Sequence, residues 1–402
     1  MSSAHGYHHH HLYRAIHSDF WRLELSIWLQ TLAFSLVGIF VPILMLRYGY
    51  SLEAVLAFNA LFYGIDVPLN FLARRCVLAW GGRAVTAIGI ACGAVSFAIF
   101  HNLAHGGWPI LIVFAVLQAL FDAFYWVGHF YLFIESSGKP EMAGRSTGIV
   151  NGVRILGGML GPALGAIIIV LHGQNLLFYA STAIFLVAIV PLFALKHAHD
   201  KPARAMPLRE FLRESRERRD YLSFSLYSIH ATADGVIWTI FIFMTLGTLN
   251  SVALLAVVVS ISTIILSYVT GTITRRNAGS LILAGSLCAA LIWILRLVIP
   301  NPIFYYASVL FVGYFAILMS VPIESRIVER GRTKDALWAA TLRNTSSMIA
   351  PFFLFLILLP LIAVFKVSFI SAALALFALI FVTRSIGAAT GKNLEVMGDM
   401  VK

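Results

Sequence analysis

Acidic and basic side chains are scarce in this chain, and those that interrupt its apolar stretches recur at helical spacing. Gln118, Asp122, Trp126 and His129 are 4, 4 and 3 residues apart, and Tyr227, His230, Asp234 and Trp238 are 3, 4 and 4 apart. On a helix each set lies along one face. A carboxyl carried on such a face into a space of reduced dielectric can take up and release a proton as its surroundings change, so Asp122 and Asp234 are candidates for proton coupling. His230, one turn from Asp234, is its candidate counter-ion or titrating partner. For each aspartate the alternative is a satisfied polar contact between helices. Asp66 precedes Val67-Pro68, where the proline frees a backbone carbonyl, so it serves either coupling or hydrogen bonding at a bend.

Two arginines also interrupt apolar sequence. Ile134-Glu135-Ser136, Arg154 and Pro162 return as Ile323-Glu324-Ser325, Arg343 and Pro351 at a constant offset of 189. Duplication of a larger unit explains the echo. A guanidinium inside an apolar segment needs an acid, carbonyls or a substrate. The reading adopted is a pair of charge clusters, Arg154 with Glu135 and Arg343 with Glu324, that help close one mouth of the molecule. Binding of an anionic solute by the two arginines is the rival.

The elements that position these residues follow from composition. Of 402 residues 60% are hydrophobic and only 12% charged, which excludes a water-soluble globule. Apolar runs predict helices over about 23–46, 52–73, 84–100, 108–135, 146–171 and 174–195, then, after a polar gap, 221–246, 252–273, 279–298, 303–325, 338–361 and 367–387, each long enough to span a membrane. Between or beside them lie a tail (1–22), a basic linker (196–220) and a second tail (388–402), leaving six-helix halves at 23–195 and 221–387. Placed on this map, 24 of the 29 basic residues fall on one side and three (Arg47, Arg296 and Lys366) on the other, so both termini and the linker are expected to be cytoplasmic. The linker segment Pro207–Asp220 reads as a helix along the inner membrane surface, with Leu208, Phe211 and Leu212 on its apolar side.

The net charge of +11 is scattered between apolar runs rather than gathered on a wet face, which argues against nucleic acid. Cys76, Cys92 and Cys288 lie far apart, without the spacing of a metal site or disulfide framework, and the four contiguous histidines near the start read as a tail feature; no cofactor and no metal are expected. No His-Glu-x-x-His pattern occurs, and the one Gly-x-Ser-x-Gly, Gly144 to Gly148, falls between apolar runs that predict helices rather than at the strand-to-helix turn a nucleophile elbow needs, so an enzyme is not expected.

Twelve spans in two related halves, joined by a basic linker, resemble the major facilitator superfamily of secondary transporters. The local sequence GGMLGPALG, Gly157 to Gly165, is similar to the glycine-proline motif of the family's proton-coupled antiporters. Gly157, Gly161 and Gly165 leave one bare helical stripe for close packing, and Pro162 permits a bend. In the loop after the second span the family carries a Gly, an Asp-Arg pair and a further Gly with basic residues; here Arg75, Gly81 and Arg83 remain, but Leu78 stands where the Asp would. The resemblance implies an all-α membrane protein whose halves rock about a midplane cavity lined by the first and fourth helices of each half, with Thr31, Ser35, Gly38, Tyr305, Tyr306 and Tyr314 as further wall residues.

The expected function is proton-coupled export of a small amphipathic or cationic organic molecule by a monomer in a bacterial inner membrane, with partners limited to the solute, the proton and lipid. Uptake or facilitated diffusion of an anion held by Arg154 and Arg343, and a non-transporting receptor or scaffold, are the alternatives.

Overall fold

The computed structural model describes residues 19–136, 157–158, 160–195, 206–270 and 278–399. Among these the regular elements are helices, and nine stretches are long and apolar enough to cross a membrane. The first predicted span is two pieces, α1 (Asp19–Gly38) and α2 (Val41–Arg47). Pro42 has no N–H to offer the carbonyl of Gly38, and the helix breaks there. The second, α3 (Leu52–Trp80), runs seven residues beyond its predicted end at 73, because Arg74 and Arg75 end an apolar run without ending a helix. It stops at Gly81, whose φ of +87° favours glycine and turns the chain straight into α4 (Gly82–Ala98).

Next come α5 (Leu103–Ser136), bent at Gly107 just ahead of Pro109, α6 (Leu160–Leu171) and α7 (Gln174–Phe193). After the short α8 (Leu208–Phe211), α9 (Ser215–Thr232) passes through a π-helical segment, Ala233–Ile237, into α10 (Trp238–Leu246). The remaining helices are α11 (Leu249–Thr270), α12 (Ala278–Val298), α13 (Pro302–Thr333), α14 (Ala336–Leu358) and α15 (Val364–Asp399). Arg154 and the start of the predicted 146–171 span lie outside the described residues, as does the histidine-rich tail.

The linker corrects one expectation. Helix α8 is a single turn, Phe211 is fully buried with its ring 6.3 Å from that of Tyr221, and α9 begins six residues before the predicted 221. Of its apolar residues Phe211 is thus taken up by the protein, while Leu208 stays exposed and Leu212 half-buried. Met206 ties it further: its N–H donates to Asp335 Oδ2 (3.2 Å) and its carbonyl accepts from Trp338 Nε1 (2.5 Å).

Helices before residue 196 pack chiefly on one another, α4 on α5 and α7, α3 on α5, and α1 on α7; those after 206 do likewise, α12 on α13 and α15, and α9 on α14 and α15. The two groups meet mainly where α14 lies against α3 and α5. With apolar surroundings on both sides, helix association relies on close packing and interhelical hydrogen bonds. Ser26 Oγ donates to the Ala188 carbonyl and Ser181 Oγ to that of Ala33, each at 2.7 Å, fastening α1 to α7. The outer surface carries exposed apolar side chains such as Val190, Phe193, Ile303 and Phe381, the arrangement expected of a lipid-facing belt.

The glycine stripe shows close packing at its tightest. A Cβ on Gly165 would stand 2.1 Å from the Leu36 carbonyl oxygen, one on Gly161 2.4 Å from Ser35 Cβ, and one on Gly157 3.0 Å from the Trp28 carbonyl, whereas Gly158 has 3.9 Å of room. The stripe therefore lets α6 lie directly on the backbone of α1. Gly165→Ala is expected to cost about 1–3 kcal/mol through overpacking, while Gly158→Ala is neutral; thermal unfolding of the two purified variants in the same detergent checks the contrast.

Candidate functional site

Where α3, α5 and α14 converge, four polar side chains form a chain of contacts. Asn70, one turn after Asp66 on α3, donates through Nδ2 to Asp66 Oδ1 (2.6 Å) and to the Asp66 carbonyl (2.8 Å). Asn344 on α14 donates through Nδ2 to Asn70 Oδ1 and to Asp122 Oδ2, both at 2.9 Å. The carboxyls of Asp66 and Asp122 in turn interact with each other, and Trp126 is a further hydrogen-bonding neighbour of Asp122. Asp66, Asn70 and Asn344 are fully buried, and Asp66 Oδ2 finds no donor. The network thus holds two acids, joins both groups of helices, and contains one buried oxygen without a donor, which a proton held between the carboxyls would satisfy.

One turn away, Arg343 binds Glu324 of α13 (Nη2 to Oε1, 2.5 Å). Its guanidinium also lies 5.0 Å from the Trp126 ring centre, 5.3 Å from Phe130 and 5.1 Å from Phe224. An ion pair with aromatic faces around it satisfies a charge that is expensive to leave alone at this depth. Arg343 and Glu324 lie in the wall of a central cavity of about 520 Å³, together with Thr31, Tyr63, Tyr227 and Ser228. That volume falls within the usual range for small-molecule sites. Glu135 is exposed at the end of α5; its predicted partner Arg154 is outside the described residues, so that pairing has no described geometry.

The two helical stripes divide. On α5, Gln118 donates to Ser96 Oγ (2.8 Å) and faces a second, smaller cavity, Asp122 belongs to the network, Trp126 lies beside Arg343, and His129 is buried with its ring stacked 5.3 Å from Tyr125. On the other stripe only Tyr227 borders the central cavity. His230, Asp234 and Trp238, expected to face that space, turn instead toward α12. Trp293 Nε1 donates to His230 Nδ1 (2.8 Å), Asp234 pairs with Arg296 (2.8 Å), and the Arg296 guanidinium lies 3.7 Å from the Trp238 ring centre and 4.5 Å from that of Trp293. Arg296 also donates to Ser308 (2.9 Å) and is itself buried, not in an outer loop where the charge count placed it. Spacing identifies a polar face but not the helix it meets. Tyr305 packs on Trp238 and Phe241, and Tyr306 donates to the Ser251 carbonyl (3.1 Å).

At the end of the bundle that carries most of the basic residues, the Arg74 guanidinium of α3 lies 3.8 Å from the centre of the Trp338 ring of α14. Asp335, which caps α14 by accepting from Trp338 N–H (2.9 Å), is close enough to act on Arg74 electrostatically. A contact between the two groups therefore exists here although Leu78 replaces the acidic residue of the family loop. Asn70, Asn344, Arg74 and Arg296 are what the sequence reading passed over. The i, i+4 pair of Asp66 and Asn70 inside an apolar helix was the available signal. Among the described residues the three cysteines are free, and no three His, Cys, Asp or Glu side chains gather as metal ligands.

The Major Facilitator Superfamily model matches residues 23–333. Comparison with curated proteins gives no match. Among solved structures, that of the human organic anion transporter MFSD10 (TETRAN) is similar with a TM-score of 0.67 at 12% identity, covering 90% of this chain and 98% of that one. A bacterial homologue of the iron transporter ferroportin in an outward-facing state is similar with a TM-score of 0.65 at 16% identity, covering 92% of this chain and 99% of that one. At these identities the likeness is one of fold.

Removing one member of a buried ion pair strands the other. Arg296→Leu is expected to destabilise the protein by about 3–5 kcal/mol, with part of the loss recovered by adding Asp234→Asn; a double-mutant cycle on unfolding in mixed micelles measures the coupling.

Proposed function

The chain belongs to the Major Facilitator Superfamily, a family of transporters, and from that membership we propose proton-coupled export of a small amphipathic or cationic organic solute by alternating access. The observation that carries the coupling is the pair of neighbouring acids, buried Asp66 and partly buried Asp122, linked through Asn70 and Asn344. Two carboxyls in contact in a poorly solvated place do not both ionise, and one proton between them supplies the donor that Asp66 Oδ2 lacks. Arg343 is the nearby cation that acts on Asp122.

Proton loss would leave two negative charges facing each other across α3 and α5, directly beneath the amide that ties them to α14. That repulsion favours separating the helices and admitting water, which is how a proton is converted into movement of one group against the other. Arg343 with Glu324, and Arg74 with Trp338, act as the contacts that close the basic end, which on charge grounds faces the cytoplasm; Arg154 with Glu135 is proposed as the related pair of the first half. Asp234 and His230, engaged by Arg296 and Trp293, serve the structure of the second half. The rival anion reading fits less well, since Glu324 already neutralises Arg343. An inner-membrane monomer with both termini in the cytoplasm completes the proposal.

Proteoliposomes with an imposed pH gradient, given benzyltrimethylammonium as a permanently charged amphipathic probe, test the coupling. Gradient-dependent movement of the probe is expected, together with at least a tenfold loss in Asp66→Asn and in Asp122→Asn. Flux indifferent to the gradient, or intact in both variants, would overturn the proton's role.

A further inference from the structure

The small cavity that Gln118 faces is built unlike the central one. It measures about 130 Å³, and its walls are the rings of Phe34, Phe58, Phe62, Phe97 and Phe114. Phe58 and Phe114 are stacked, with ring centres 5.3 Å apart and planes 14° apart. Asn59 and Gln118 supply the polar atoms: Asn59 Nδ2 is engaged by the Val55 carbonyl (2.8 Å), and Gln118 Nε2 by Ser96 Oγ. What remains of Gln118 is its Oε1, an acceptor, and its second N–H. Tyr63 and Val236 belong to the walls of both cavities, so the two spaces adjoin.

Two backbone irregularities border the small cavity, one of them at its junction with the large one. Gly38, Val41 and Pro42, which line the small cavity, bracket the break between α1 and α2, and Val236 lies within the π-helical segment Ala233–Ile237. Departures from regular helix at membrane depth are tolerated where they are enclosed by protein or line a cavity, and single π-helical turns concentrate at functional sites. Here both first helices of the proposed halves depart from α-helix along the wall of the small space, the second of them where it meets the large one. Its volume is close to that of the roughly 150 Å³ apolar cavity known to accept benzene.

We infer that the small cavity is a subsite for one aromatic ring of the transported molecule, with a ring-borne hydrogen-bond donor directed at Gln118 Oε1. The polar remainder lies past Tyr63 in the central cavity, among Thr31, Ser228, Glu324 and Arg343. This deepens the proposed function and rests on it: the amphipathic solute becomes an aryl compound with a single six-membered ring and a polar arm. Aromatic walls take a planar ring by offset or edge contacts, and the amide distinguishes a phenol-like or aniline-like ring from a bare one.

Fluorine NMR of 4-fluorophenol and fluorobenzene with the full chain in nanodiscs, at equilibrium and without a gradient, tests the subsite independently of proton coupling. Both probes are expected to bind. Val236→Phe, which fills the junction, is expected to weaken both at least tenfold, whereas Gln118→Leu weakens 4-fluorophenol alone. Phe114→Ala enlarges the space and is expected to admit 2-naphthol, so a poorly folded Val236→Phe leaves the matter decidable. Binding of 4-fluorophenol that is indifferent to Gln118→Leu, with 2-naphthol still excluded by Phe114→Ala, would overturn the inference, even if gradient-driven flux were intact. Loss of gradient dependence with ring binding preserved would overturn only the coupling.

Discussion

Polar groups carried deep into an apolar bundle have no water to fall back on, so each must be answered by another group of the same chain. In this protein most of the answers come from other helices. Asp66 is met by Asn70 one turn along α3, Asn70 in turn by Asn344 on α14, Asp122 on α5 by the same amide, Arg343 by Glu324 on α13, and Arg296 on α12 by Asp234 of the π-helical segment. The scarcity of charge thereby becomes a source of specificity: a helix that slipped by one turn would leave several of these groups unanswered at once.

The seam between α3 and α14 gathers most of this. It runs from Arg74 over Trp338, through Asn70 and Asn344, to Gly64 against Phe352 and Tyr63 stacked 5.5 Å from Phe355. Its layers differ chemically: a cation on an indole at one end, a hydrogen-bonded polar layer in the middle, and aromatic packing beyond. The end layer sets the acid Asp335 against the cation Arg74, whereas the middle layer brings two acids, Asp66 and Asp122, beside each other. A seam whose central layer responds to protonation while its flanks hold register can serve as a movable contact rather than a permanent one.

The fold was legible because its signal is long and redundant. Apolar runs, a segregated set of basic residues and the 189-residue echo pointed to a bundle of membrane helices of this family. Helix ends were less legible, since Arg74 and Arg326 interrupt apolarity yet continue a helix whose own geometry does not require it. The site was legible in its acids and not in their neighbours. Asp122 was found from its spacing, but its partner Asn344 looked unremarkable beside Arg343. The stripe from His230 to Trp238 was a real face, and what it meets, α12, depends on packing between distant segments that periodicity does not encode. Arg296 was miscounted because a run of apolar residues ends near it, while burial under two indole rings makes it an interior residue.

Trp338 is held from two directions. Arg74 covers its face, and the carbonyl of Met206, just ahead of α8, accepts a hydrogen bond from the indole N–H. Any parting of α3 from α14 at this end would uncover one face of the ring and leave the bond to Met206 in place, so a single indole is where the opening of the second group of helices touches the position of the first.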